Sequence, residues 1–104
     1  MSMTPSRRTI DNMTLEAAAA DDRLLVVRCS YCRNGDTYRT ADLVPVYGPT
    51  AHPYGLFHAC RHCGRTEWLR PFLRLPTDGD VGQLRIRRPA GVQTILLWEE
   101  GWFG

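Results

Sequence analysis

Cys29-Ser30-Tyr31-Cys32 and Cys60-Arg61-His62-Cys63 decide how this sequence is read. Two CxxC pairs with one intervening segment, the 27 residues from Arg33 to Ala59, read as a four-thiolate metal site. A CxxC turn presents two sulfurs to one ion. Two such turns from opposite ends of a ribbon complete a tetrahedron at Zn–S distances of about 2.3 Å. The candidate ligands are therefore Cys29, Cys32, Cys60 and Cys63. The plain alternative is four buried or paired cysteines. A thioredoxin-like redox pair would need one CxxC opening a helix beside a βαβ unit. Neither CxxC is followed by His, which excludes haem attachment.

The residues around the second turn support it. Gly64 directly follows Cys63, where a glycine takes positive φ at little cost and lets backbone N–H groups point at sulfur. At the first turn Arg33 stands in that place. Asn34-Gly35 come next, so this turn is expected to close two residues later. His62 lies inside the second pair, but four cysteines already fill a structural tetrahedron.

Outward from the cysteines, Val27-Arg28-Cys29-Ser30-Tyr31-Cys32, Ala41-Asp42-Leu43, Tyr47-Gly48 and Cys60-Arg61-His62-Cys63-Gly64 resemble the zinc-ribbon fold group. Together they are similar to small, uncharacterised bacterial zinc-ribbon proteins, over roughly residues 24–75. The resemblance implies one Zn2+ and a few-stranded antiparallel sheet. It implies no particular activity, because zinc ribbons serve transcription, translation and protein contacts alike.

Composition narrows the function. The chain has 104 residues, 43% hydrophobic and 23% charged, which suits one small folded domain. All 13 positive residues are arginine, and the formal net charge is +2. Four thiolates and one Zn2+ bring that to zero, so any electrostatic argument rests on local patches. Arg28, Arg33, Arg61 and Arg65 flank the cysteines and would offset a dianionic metal centre. The longest apolar runs are four residues, such as Leu24-Leu25-Val26-Val27, far short of the roughly 20 that span a membrane. No apolar export segment follows Arg7-Arg8, so a cytoplasmic, reducing compartment is expected. Serine occurs only at 2, 6 and 30, and no phosphate-cradling glycine motif is present. With every cysteine on the metal no thiol nucleophile remains, so a non-enzymatic protein is expected.

Along the chain, residues 1–13 read as a flexible tail and residues 14–23 as a short helix capped by Thr14. Leu24 to Arg28 reads as the strand that delivers Cys29. Asp42 is expected to cap one turn containing Pro45, ended by Gly48-Pro49. Leu56-Phe57-His58-Ala59 is expected to be the strand that delivers Cys60. Thr66 to Leu75 reads as a further strand, with Pro71 placing it at an edge or a bulge. Residues 76–104 are expected to form a C-terminal hairpin packed on the ribbon, with strands Leu84 to Arg88 and Val92 to Trp98 joined around Pro89-Ala90-Gly91. The fold class expected is small and β-rich, α+β at most: a four-cysteine zinc ribbon with a short N-terminal helix and a C-terminal hairpin.

Within the strand over 66–75, Trp68, Arg70, Phe72 and Arg74 share one face by the period of two. Aromatics stack on unpaired bases and interleaved arginines hold phosphates. With Arg61 and Arg65 these form the candidate nucleic-acid or protein-binding face. The ordinary reading is that Trp68 and Phe72 fill a second small core while the arginines snorkel. Trp98, Trp102 and Phe103 make an aromatic C-terminus that is expected to fold back on the core rather than anchor a partner. The function expected is a non-catalytic zinc-binding module. The competing class is a rubredoxin-like iron electron carrier. Against it, Arg33 stands where such chains place glycine, and Arg61-His62 fill the second pair.

Overall fold

The computed structural model describes residues 13–92 and 96–103. The tail expected over 1–13 lies outside these, except Met13, which packs in the core. Helix α1, Leu15–Ala20, starts as expected: the Thr14 hydroxyl accepts a hydrogen bond from the Ala17 N–H at 3.1 Å. It stops after six residues because Asp22 takes a left-handed φ of 56°. That bend lets the Arg23 N–H reach the Ala18 carbonyl and the Asp22 N–H reach that of Ala19, at 3.0 and 2.9 Å.

The next strand is the centre of the molecule. Strand β1, Leu24–Cys29, pairs antiparallel with β2, Gly35–Arg39, and with β3, Leu69–Arg74. Its run of buried residues, LLVV, fits a strand flanked on both sides. Leu25 lies opposite Tyr38 and Leu73, and this row faces the main core. Against it pack Leu15 and Ala18 of α1 and Leu43 of helix α2, Thr40–Tyr47.

Helix α2 is two turns long, not the single turn expected. Its cap position is Arg39, without a side-chain cap bond, so Asp42 is not the cap. The Thr40 hydroxyl donates instead to the Arg23 carbonyl at 2.6 Å, tying the helix start to the turn before β1. The Gly48 N–H closes the helix on the Val44 carbonyl.

Strand β3 is shorter than its expected 66–75. It is an edge strand, so the missing Pro71 N–H costs no ladder bond. The Leu73 N–H on that open edge is taken by the Tyr54 hydroxyl at 3.0 Å.

The strand expected at 56–59 is absent. After a short 3-10 turn, Pro53–Gly55, this segment is irregular. Strand β1 already has a partner on each side, so a further strand finds no ladder to join. Leu56 and Phe57 pack against the core instead, Phe57 stacked on Tyr38 with ring centroids 4.7 Å apart.

Strands β4, Arg85–Val92, and β5, Leu96–Trp102, form the C-terminal hairpin. Pro89-Ala90-Gly91 is not its turn. The strand runs through it, with a register shift between Pro89 and Gly91 that reads as a bulge. Residues 93–95 between the two strands lie outside those described, as do the side chains of 91–97. Trp98 packs on Tyr38 and Phe57. Ile86 and Phe103 bury Leu24 in a second, smaller core. Two of the three C-terminal aromatics thus fold back, while Trp102 stays 58% exposed. The described residues form a small β-rich α+β fold with two short helices and two antiparallel sheets.

Candidate metal centre and the arginine face

The two CxxC turns are built alike. In the first, the Cys29 N–H donates to the Asn34 carbonyl and the Arg33 N–H to the Cys29 carbonyl, each at 2.9 Å. In the second, the Cys60 N–H donates to the Arg65 carbonyl at 2.9 Å and the Gly64 N–H to the Cys60 carbonyl at 2.7 Å. Both chains turn through a left-handed residue just after the second cysteine. That residue is Gly64 at φ 80° and Arg33 at φ 64°. The first turn therefore closes at Arg33 itself, not two residues later. Gly35 is required for a different reason: a Cβ there would lie 3.0 Å from the Val27 carbonyl across the β1–β2 pair.

This equivalence gives a test of the local backbone. An L-residue pays about 1–2 kcal/mol in left-handed geometry, while glycine costs about 0.5–1 kcal/mol in chain entropy. Arg33→Gly is expected to leave stability unchanged or raise it by up to about 1 kcal/mol. Gly64→Ala, with open space around its Cβ, is expected to lower it by about 1 kcal/mol for backbone reasons alone. Thermal melts of the metal-loaded chain check both. A loss in Arg33→Gly as large as that in Gly64→Ala would mean the arginine side chain, not the backbone, holds the first turn.

The four sulfurs converge. All four ligand atoms lie within 4.8 Å of one another. Cys29 Sγ is 3.8 Å from Cys63 Sγ, and Cys32 Sγ is 3.6 Å from Cys60 Sγ. A tetrahedron with metal–sulfur bonds of about 2.3 Å has edges of about 3.8 Å, so these two cross-turn contacts fit ligation. They are far too long for a disulfide of about 2.05 Å. Cys29 and Cys60 are buried, and Cys32 and Cys63 are half-buried. The backbone N–H of Cys32 lowers the pKa of Cys29 to about 7. The backbone N–H of Arg65 favours the Cys63 thiolate, but loss of hydration and the neighbouring sulfurs push this thiol up to about 11. Four sulfurs this close resist ionising together, and a cation at their centre removes that conflict.

The second turn is clamped to the sheet. Arg61 binds Asp36 of β2 with two hydrogen bonds, at 2.8 and 2.7 Å, and Glu100 of β5 at 3.1 Å. His62 Nε2 lies 3.3 Å from Asp36 Oδ2, the same oxygen that accepts from Arg61 Nε. His62 is therefore occupied with Asp36 and is not among the four clustered ligands. Asp36 and Glu100 went unnoticed in the sequence, because isolated acidic residues carry no pattern of their own.

The remaining candidates divide into two groups. Arg74 is paired with Asp80 at 2.8 Å, and this guanidinium, with the Thr77 N–H, lowers the Asp80 pKa to about 2. Arg65 sits 4.0 Å over the Tyr31 ring and donates to its hydroxyl at 3.2 Å. Trp68 is 40% exposed beside Tyr31, with ring centroids 6.3 Å apart. Among the described residues Arg70 donates to the carbonyls of Glu67 and Leu69 and to no side chain. Phe72 is half-buried in the sheet. Tyr31 is a contact residue that sequence reasoning missed; the available signal was an aromatic inside a CxxC turn, where packing offers it no core.

No family model matches the chain, and no curated protein or solved structure is significantly similar to it. Among the described residues no helix is long and apolar enough to cross a membrane.

Proposed function

We propose that this chain is a non-catalytic zinc-binding module of zinc-ribbon type, whose metal is structural and whose arginine- and aromatic-bearing surface contacts a macromolecular partner. The observation that carries this reading is the convergence of four cysteine sulfurs within 4.8 Å of one another. Four thiolates fill a tetrahedron and leave no open position for a substrate or an activated water. Thiolate donors also suit Zn2+ or iron better than the hard cations Mg2+ or Ca2+.

Native mass spectrometry of the purified chain is expected to show one Zn2+ per molecule and a colourless protein. Reduction and an organomercurial thiol titrant should release that zinc in proportion to the four cysteines titrated. A coloured protein carrying one iron would overturn the zinc assignment in favour of an electron carrier. A metal-free native mass with four titratable thiols would overturn the metal centre altogether.

A further inference from the structure

The outer face of the three-stranded sheet carries arginines that have no carboxylate partner among the described residues. Arg28 on β1 and Arg70 on β3 stand opposite each other, with Gly35 of β2 completing the row. Among the described residues neither Arg28, Arg33 nor Arg70 enters an ion pair, whereas Arg61, Arg74 and Arg88 do. An open groove of about 530 Å³ passes along this face between Thr37 and Arg33, over Gly35 and Ser30. Ser30 is bonded through both its N–H and its hydroxyl to the Trp68 carbonyl. Trp68 and Tyr31, whose exposed rings have centroids 6.3 Å apart, thus adjoin the groove residue Ser30 across the ladder and along the chain.

We propose that this face binds single-stranded nucleic acid, with phosphates on Arg28, Arg33 and Arg70 and a base against Trp68 and Tyr31. The inference rests on the reading of this surface as a partner-binding face and commits it to one partner. Planar guanidinium groups suit phosphate oxygens, and an aromatic face stacks on any unpaired base. A duplex hides its bases from such stacking, and its grooves are read by protruding elements. Both helices here are short and pack on the opposite, core face of the sheet. Apart from the Trp68 and Tyr31 rings the face offers a protein partner little apolar area to bury, since Val26 is only 6% exposed and Phe72 is half-buried. A zinc tetrathiolate carries two negative charges, and Glu67 adds an exposed carboxylate nearby. The face is thus only modestly positive, and binding is correspondingly weak and salt-sensitive.

The test is fluorescence anisotropy of the zinc-loaded full chain with labelled oligo(dT) and oligo(U), at 50 and 200 mM salt. Three phosphate contacts on a single strand give a log–log salt slope of about −2, so affinity should fall about 20-fold between these salts. Arg28→Ala and Arg70→Ala should each flatten the slope by about 0.7. Trp68→Ala should weaken binding about 5- to 150-fold at unchanged slope. Arg88→Ala, on the hairpin, should change neither. Near-UV CD and zinc content show that each variant is folded. The same titrations are run with labelled poly-glutamate. Arginine-dependent binding of poly-glutamate without oligonucleotide binding would overturn this inference and leave a protein-binding face standing. Binding of neither probe at 50 mM salt would overturn both. Oligonucleotide binding insensitive to all three face substitutions would overturn the placement on this face.

Discussion

Stripping the metal with a chelator is expected to unfold residues 24–75, with loss of the near-UV CD signal and of a cooperative melt. Structural zinc contributes about 10–16 kcal/mol of apparent binding free energy. A small domain has only about 5–15 kcal/mol of net stability. The loss therefore consumes most or all of what holds the fold. The structure gives the route. Cys29 ends the central strand β1, and the Ser30 N–H extends the β1–β3 ladder to the Trp68 carbonyl at 2.9 Å. Cys60 ends a segment that has no ladder of its own; besides the core contacts of Leu56 and Phe57 and the Arg61–Asp36 clamp, a bound metal would be what holds it. Cys60→Ser should therefore behave like chelation. A chelated chain that kept its near-UV CD and its melting temperature would show that the centre is not structural.

The second large effect is expected at Leu25. This side chain is fully buried in the middle row of the sheet, between Tyr38 and Leu73 and beneath the two helices. Leu25→Ala removes buried atoms and leaves a cavity whose walls belong to three strands, so it collapses poorly. Such a change costs about 2–5 kcal/mol. Trp102→Ala, at a position 58% exposed, should stay within about 0.5 kcal/mol of wild type. Urea denaturation of the metal-loaded chain compares the two directly. Equal midpoints would mean that the core is not centred on β1.

Legibility in the sequence followed the strength of local signals. The four cysteines could be read because their spacing has few other uses, and β1 because four apolar residues in a row need cover on both faces. Thr14 and Pro71 each carry a backbone consequence that no tertiary contact overrides. Strand β2 could not be read: of Gly35-Asp36-Thr37-Tyr38-Arg39 only Tyr38 is buried, so neither period stands out. Leu56-Phe57 looked like a strand because apolar residues before Cys60 suggest one. Whether they pair depends on a free sheet edge, which is a property of the assembled fold. Pro89-Ala90-Gly91 carries the composition of a turn and serves as a bulge, since turn residues also suit an interrupted ladder. The Arg61 clamp joins residues 25 and 39 positions apart, and no local pattern announces such a meeting.

The first CxxC turn is also the loop of the β1–β2 hairpin: residues 30–34 connect the two strands, and Arg28 pairs with Gly35 across its mouth. Two of the four ligands are thus brought together by contacts among near neighbours in the chain, and hairpins form in about 1–10 μs. The other two must arrive across the intervening helix and loop, with the loop-closure entropy that such separation entails. Assembly of the centre is consequently asymmetric in time. The hairpin would offer a bidentate half-site as soon as it zips, and the slower folding of everything from α2 onward would convert a loosely held ion into an enclosed one.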